Sequence, residues 1–89
     1  MELASNEKLE LLNSMKVIES SCSGGECEYV LVEDNEANRN ILHRIGLTDE
    51  EIKNECYPEG KTLDISVVAW ERTTANWFSR KEKKFYEKF

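Results

Sequence analysis

The sequence predicts a small α+β fold: a short sheet packed against a helix pair and an N-terminal helix. Three observations carry that expectation. Thr48-Asp49-Glu50-Glu51 is a sharply defined helix start in mid-chain. Two runs rich in β-branched and aromatic residues, 28–33 and 62–71, flank that centre. The chain has 89 residues, 39% apolar and 34% charged, which suits one ordinary small domain, 1–89, with a modest core.

A first helix is expected over 5–14, capped by Ser5 or Asn6, with Leu11, Leu12, Met15 and Ile18 as its buried stripe. Its end has two readings. The preferred one runs the helix on to about residue 19 and leaves Gly24-Gly25 as a loop. The alternative makes 15–19 a strand that turns at Ser23-Gly24-Gly25 into the next strand. That next strand, 28–33, follows from Tyr29-Val30-Leu31-Val32.

The centre comes next. Ile41, Leu42 and Ile45 share one face of a helix over 35–45, which Asp34 or Asn35 can cap and Gly46 can end. Thr48 and Glu51 form a capping box for a second helix over 49–56. Leu47 and Ile52 have hydrophobic-staple spacing, and Pro58 and Gly60 stop the helix. In 62–71, Leu63, Ile65 and Val67 alternate with Asp64 and Ser66, the pattern of a half-buried strand. Residues 73–76 form a break, with room for a third strand at Trp77-Phe78. Ser79-Arg80-Lys81-Glu82 repeats the capping-box spacing and favours a C-terminal helix carrying Phe85; an edge strand competes with it.

The net charge of −6 opposes nucleic-acid and anionic-membrane binding. No apolar run is long enough to span a bilayer. The acidic start, MELASNEKLELL, lacks the basic and apolar regions of a signal peptide, and three cysteines are an odd number. A cytoplasmic protein in a reducing compartment is expected.

The helix pair has the spacing of a DNA-binding helix-turn-helix. However, Asp49, Glu50, Glu51 and Glu55 stand against a single Lys53 on its second arm, which would repel phosphate. A helical corner packed on a sheet is the preferred reading. Cys22 and Cys27, four residues between them, could bind zinc together with His43 and Cys56. This is the least favoured of the functional readings, because that second pair is 13 residues apart across two helices. Cys56 is expected in the core. No nucleophile elbow, phosphate loop or calcium loop occurs. No catalytic residue, metal or cofactor is expected.

The segment Tyr29-Val30-Leu31-Val32-Glu33-Asp34-Asn35 resembles the first strand and helix start of response-regulator receiver domains, in which the paired acids would bind magnesium. The family also needs a later strand ending in Asp and another ending in Lys. Only Asp64 is available, near the start of its strand, so the acids' role is not carried over.

Charge is unevenly distributed. Residues 1–64 hold 15 acids and 6 bases, net −9; residues 65–89 hold 3 acids and 6 bases, net +3. A basic, aromatic end therefore follows an acidic body. Trp77, Phe78, Arg80, Lys81 and Lys84 are the expected partner-binding residues, because Trp and Arg are enriched at interface hot spots. The expected partner is another protein or a second copy of the chain. Nucleic-acid involvement is the alternative, either weak binding through this end or an acidic surface competing with nucleic acid.

Overall fold

A computed structural model describes residues 3–23 and 26–88, with Glu26 described through its backbone alone. Among the described residues the chain forms four helices and two antiparallel sheets, an α+β fold as expected. Helix α1 spans Ser5–Asn13, β1 Val17–Ser23, β2 Glu26–Glu33, α2 Glu36–Ile45, α3 Asp49–Glu55, β3 Thr62–Asp64 and α4 Ser66–Arg72. Strands β4, Trp77–Ser79, and β5, Lys84–Tyr86, end the chain.

The central elbow forms as its residues dictate. Asn35, rather than Asp34, caps α2 by accepting from the Asn38 amide. Gly46 ends α2 at φ 121, a conformation that favours glycine. The Thr48–Glu51 capping box is complete: the Glu51 amide donates to the Thr48 hydroxyl, and the Thr48 amide to the Glu51 carboxylate. Leu42, Ile45, Leu47 and Ile52 are all buried, so the staple packs into the core.

Three expectations are corrected. Helix α1 stops at Asn13, so the preferred extension to residue 19 gives way to the strand alternative. Two β-branched residues, Val17 and Ile18, open β1, where they favour extended backbone. Strand β1 pairs with β2 as a hairpin, whose Gly24 and Gly25 lie outside the described residues. Register shifts at both ends of this ladder leave one extra residue on each strand, Ile18 and Glu28. Being the extra residue, Ile18 is 51% exposed rather than part of a buried stripe. Nor do Ser5 or Asn6 cap α1: the cap position is Ala4, with no side-chain bond.

The strand expected over 62–71 ends at Asp64. Asp64 Oδ1 accepts from the Ser66 amide and hydroxyl and from the Val30 amide, which turns the chain into α4. Ile65, Val68 and Ala69, at helical spacing, are all buried. Strand β3 lies beside β2 but antiparallel to it, so the right-handed crossover rule for parallel pairs has no application. The third correction, a C-terminal hairpin where a helix was favoured, builds the site below.

Candidate partner-binding surface

The last described elements divide their side chains between core and solvent. In the β4–β5 ladder Trp77 faces Tyr86, Phe78 faces Phe85 and Ser79 faces Lys84. Aromatic residues suit such a ribbon, and successive side chains point to opposite faces. Phe78 and Phe85 are each 1% exposed, with ring centroids 4.7 Å apart. Trp70 of α4 meets Phe85 edge-on at 5.3 Å.

The turn explains why the capping-box spacing misleads. Ser79 Oγ accepts from the Glu82 amide, as a helix cap would. The Lys83 amide then donates to the Ser79 carbonyl at 2.7 Å, while Lys83 itself adopts φ 57. That left-handed residue ends the turn after one cycle and returns the chain as β5. Two asparagine side chains hold the ribbon. Asn13 Nδ2 donates to the Phe85 carbonyl at 2.9 Å, and the Phe85 amide donates to Asn13 Oδ1 at 2.8 Å. Asn76 grips Lys88 in the same two-point manner. Arg80 Nη1 reaches the Cys22 carbonyl at 3.4 Å, tying the turn to the β1–β2 hairpin.

Of the expected partner-binding residues, Phe78 belongs to the core. Trp77 is half-buried on the outward face, with Arg80, Lys81 and Lys84 exposed beside it. Two more residues of the basic, aromatic end join them, outside the expected partner-binding set. Tyr86 sits beside Trp77 across the ladder, 38% exposed. Lys88 Nζ lies 3.9 Å from the centre of the Trp77 ring, a cation–π contact. A hydrogen bond to Glu82 holds the Tyr86 phenol above its ordinary pKa. The sequence signal for the face Tyr86 takes is the alternation over 83–89, the edge-strand reading that competes with the C-terminal helix.

The acidic arm of the elbow is partly neutralised. Arg72 of α4 donates to both Glu51 and Glu55 of α3, each at 2.6 Å. These bonds raise the Arg72 pKa and, with the Thr48 amide acting first, lower that of Glu51. Asp49 meets His43 Nε2 at 2.6 Å. An acidic surface competing with nucleic acid would need Asp49, Glu50, Glu51, Glu55 and Glu59, and of these Glu50 and Glu59 alone lack a basic partner among the described residues. Asp34, one of the receiver-like acids, is engaged by Arg39 through Nε and Nη2, which holds its carboxyl below the usual range.

The cysteine set does not assemble. Cys22 and Cys27 face each other across the β1–β2 ladder and form a disulfide, a pairing that a hairpin permits from the sequence and that a reducing compartment would oppose. Cys56 is buried, and burial pushes its thiol up to about 12, far from a reactive thiolate. Among the described residues no group of three or more His, Cys, Asp or Glu side chains could hold a metal ion. No described helix is long and apolar enough to cross a membrane. Comparison with family models, curated proteins and solved structures finds no match to this chain.

Proposed function

We propose that this chain is a small, non-catalytic protein-interaction module whose partner meets the outward face of the β4–β5 hairpin. One observation carries the reading: the ribbon sends Phe78 and Phe85 inward yet presents Trp77 and Tyr86 outward, with Arg80, Lys81 and Lys84 beside them. Aromatic rings flanked by cationic heads combine apolar area with charge recognition, the composition of interface hot spots. The inward phenylalanines and the Asn13 clamp hold the face rigid, which lowers the ordering cost of binding.

Affinity purification from the native host tests this reading, comparing wild type with a Trp77→Ala, Arg80→Ala double variant. The module reading expects a partner that the variant loses. Equal recovery by both refutes it.

The same outward rings beside lysines favour a second reading, a stacking platform for single-stranded nucleic acid. The net charge of −6 opposes it. A low-salt electrophoretic shift with single-stranded DNA or RNA, lost in Trp77→Ala, would bring it forward.

We place the module in the cytoplasm, because an odd number of cysteines suits a reducing compartment. Trapping thiols during cell lysis tests that placement. Free Cys22 and Cys27 agree with a reducing compartment, whereas the intact disulfide contradicts it.

A further inference from the structure

The three-stranded sheet has a second face. Along β2, Val30 and Val32 point into the core, so Tyr29 and Leu31 point away from it. On that side lies a groove of about 450 Å³, lined by Glu28, Tyr29, Leu31 and Thr62 of the sheet and by Tyr57 and Glu59 of the loop after α3, with Asp64 at its end. Tyr57 adopts φ 42 after α3 and projects its ring, 60% exposed.

The groove's charge is one-sided. No Lys, Arg or His lines it. Four acids elsewhere have a basic partner: Asp34 with Arg39, Asp49 with His43, and Glu51 and Glu55 with Arg72. Glu19, Glu33, Glu36 and Glu50 are exposed without an ion pair among the described residues, so what sets the groove apart is the lack of any base in its lining. Glu28 and Glu59 are exposed, and neither has an ion pair among the described residues. The hairpin has the opposite excess, with Glu82, bonded to Tyr86, the acid of its turn. Lys81, Lys83 and Lys84 are exposed without an ion pair, beside the outward Trp77 and Tyr86.

The two surfaces complement each other residue class by residue class: unpaired bases against unpaired acids, aromatic rings against tyrosines. Both belong to one chain. The chain as a whole carries −6, so two copies meeting acid face to acid face repel. Hairpin on groove is the approach that places opposite charges together, and electrostatic complementarity of this kind selects orientation more than raw affinity.

We propose that the partner of the hairpin face is a second copy of this chain. The β4–β5 turn of one copy seats in the groove of the other, with Lys81 and Lys84 against Glu28 and Glu59. The outward rings of the hairpin meet Tyr29 and Tyr57. The proposal rests on the reading that this hairpin is the partner surface, and it names the partner.

A charge swap tests it on the purified full-length chain, by sedimentation velocity over a concentration series at low salt. Wild type is expected to self-associate. Lys81→Glu with Lys84→Glu makes the hairpin acidic, and Glu28→Lys with Glu59→Lys makes the groove basic. Each variant is expected to weaken self-association by about tenfold or more, since attraction is replaced by repulsion. Mixing the two variants restores opposite charge at both contacts, and the mixture is expected to associate at least as well as wild type. All four positions are exposed, so circular dichroism should be unchanged.

A wild type that stays monomeric overturns the proposal, as does a mixture that fails to associate. If the chain is monomeric yet captures a different protein through Trp77 and Arg80, the inference fails while the module reading stands. If it is monomeric and captures nothing through the hairpin, both fail.

Discussion

Asn13 offers the sharpest test of how the hairpin is held. This last residue of α1 stands in for a missing strand: its amide both donates to and accepts from the Phe85 backbone, at 2.9 and 2.8 Å. Asn13→Ala removes both bonds and leaves a half-buried peptide unit unpaired beside the Phe78–Phe85 ring pair. Two such bonds correspond to about 1–3 kcal/mol. In a domain of this size that lowers the melting temperature by roughly 5–20 °C. Asn13→Asp separates the two bonds. The introduced carboxylate still accepts from the Phe85 amide, but it sets a second oxygen against the Phe85 carbonyl. It should therefore be no better than alanine at neutral pH and should recover in acid, once protonation restores a donor. Urea unfolding followed by tryptophan fluorescence suits the question, because Trp70 touches Phe85 and Trp77 lies on β4. An alanine variant within about 0.5 kcal/mol of wild type, the range of an inert surface change, refutes the clamp.

Three further outcomes are expected. Arg39 holds the Asp34 carboxyl below its ordinary range, so the folded state binds fewer protons there than the unfolded chain. Its contribution is complete above the ordinary aspartate value of about 3.9 and is lost as pH falls through the lower folded value. Asp34→Asn should flatten that acid limb in urea midpoints measured across it, and an unchanged slope contradicts the pairing. Cys56, with its thiol pushed up to about 12 inside the core, should resist alkylation in the native protein and react on unfolding, read by mass spectrometry. Reduction of Cys22–Cys27, which closes a loop of sequence separation 5, should cost about 2 kcal/mol by the loop-entropy relation, read as a shift in melt with and without reductant.

The elements legible in the sequence were those specified by contacts close along the chain. The elbow is the clearest: Asn35, Gly46, Thr48 and Glu51 each act on backbone within four residues, and all behave as their types require. Strand β2 was legible from β-branched and aromatic content alone. Where two local patterns overlapped, distant partners decided. Leu63, Ile65 and Val67 alternate, yet Ile65, Val68 and Ala69 also lie at helical spacing. The choice falls to Asp64, whose carboxylate reaches Val30, 34 residues away in sequence. Ser79 to Glu82 satisfies half of a capping box and then fails as a helix, because Phe85 pairs with Phe78 and with Asn13, 72 residues away in sequence. The exposed basic residues of the site were legible from charge distribution. That Phe78 faces inward and Tyr86 outward depended on knowing the ribbon.

The central claim is that the outward face of the C-terminal hairpin is where a partner sits. A photo-crosslinking amino acid placed at Trp77 in the native host tests it most directly, with the same group at exposed Asn40 on α2 as control. The account predicts a discrete adduct, at the mass of one partner or of a second copy, from position 77 and none from position 40. Equal yields at both positions, or an adduct from position 40 alone, would contradict it.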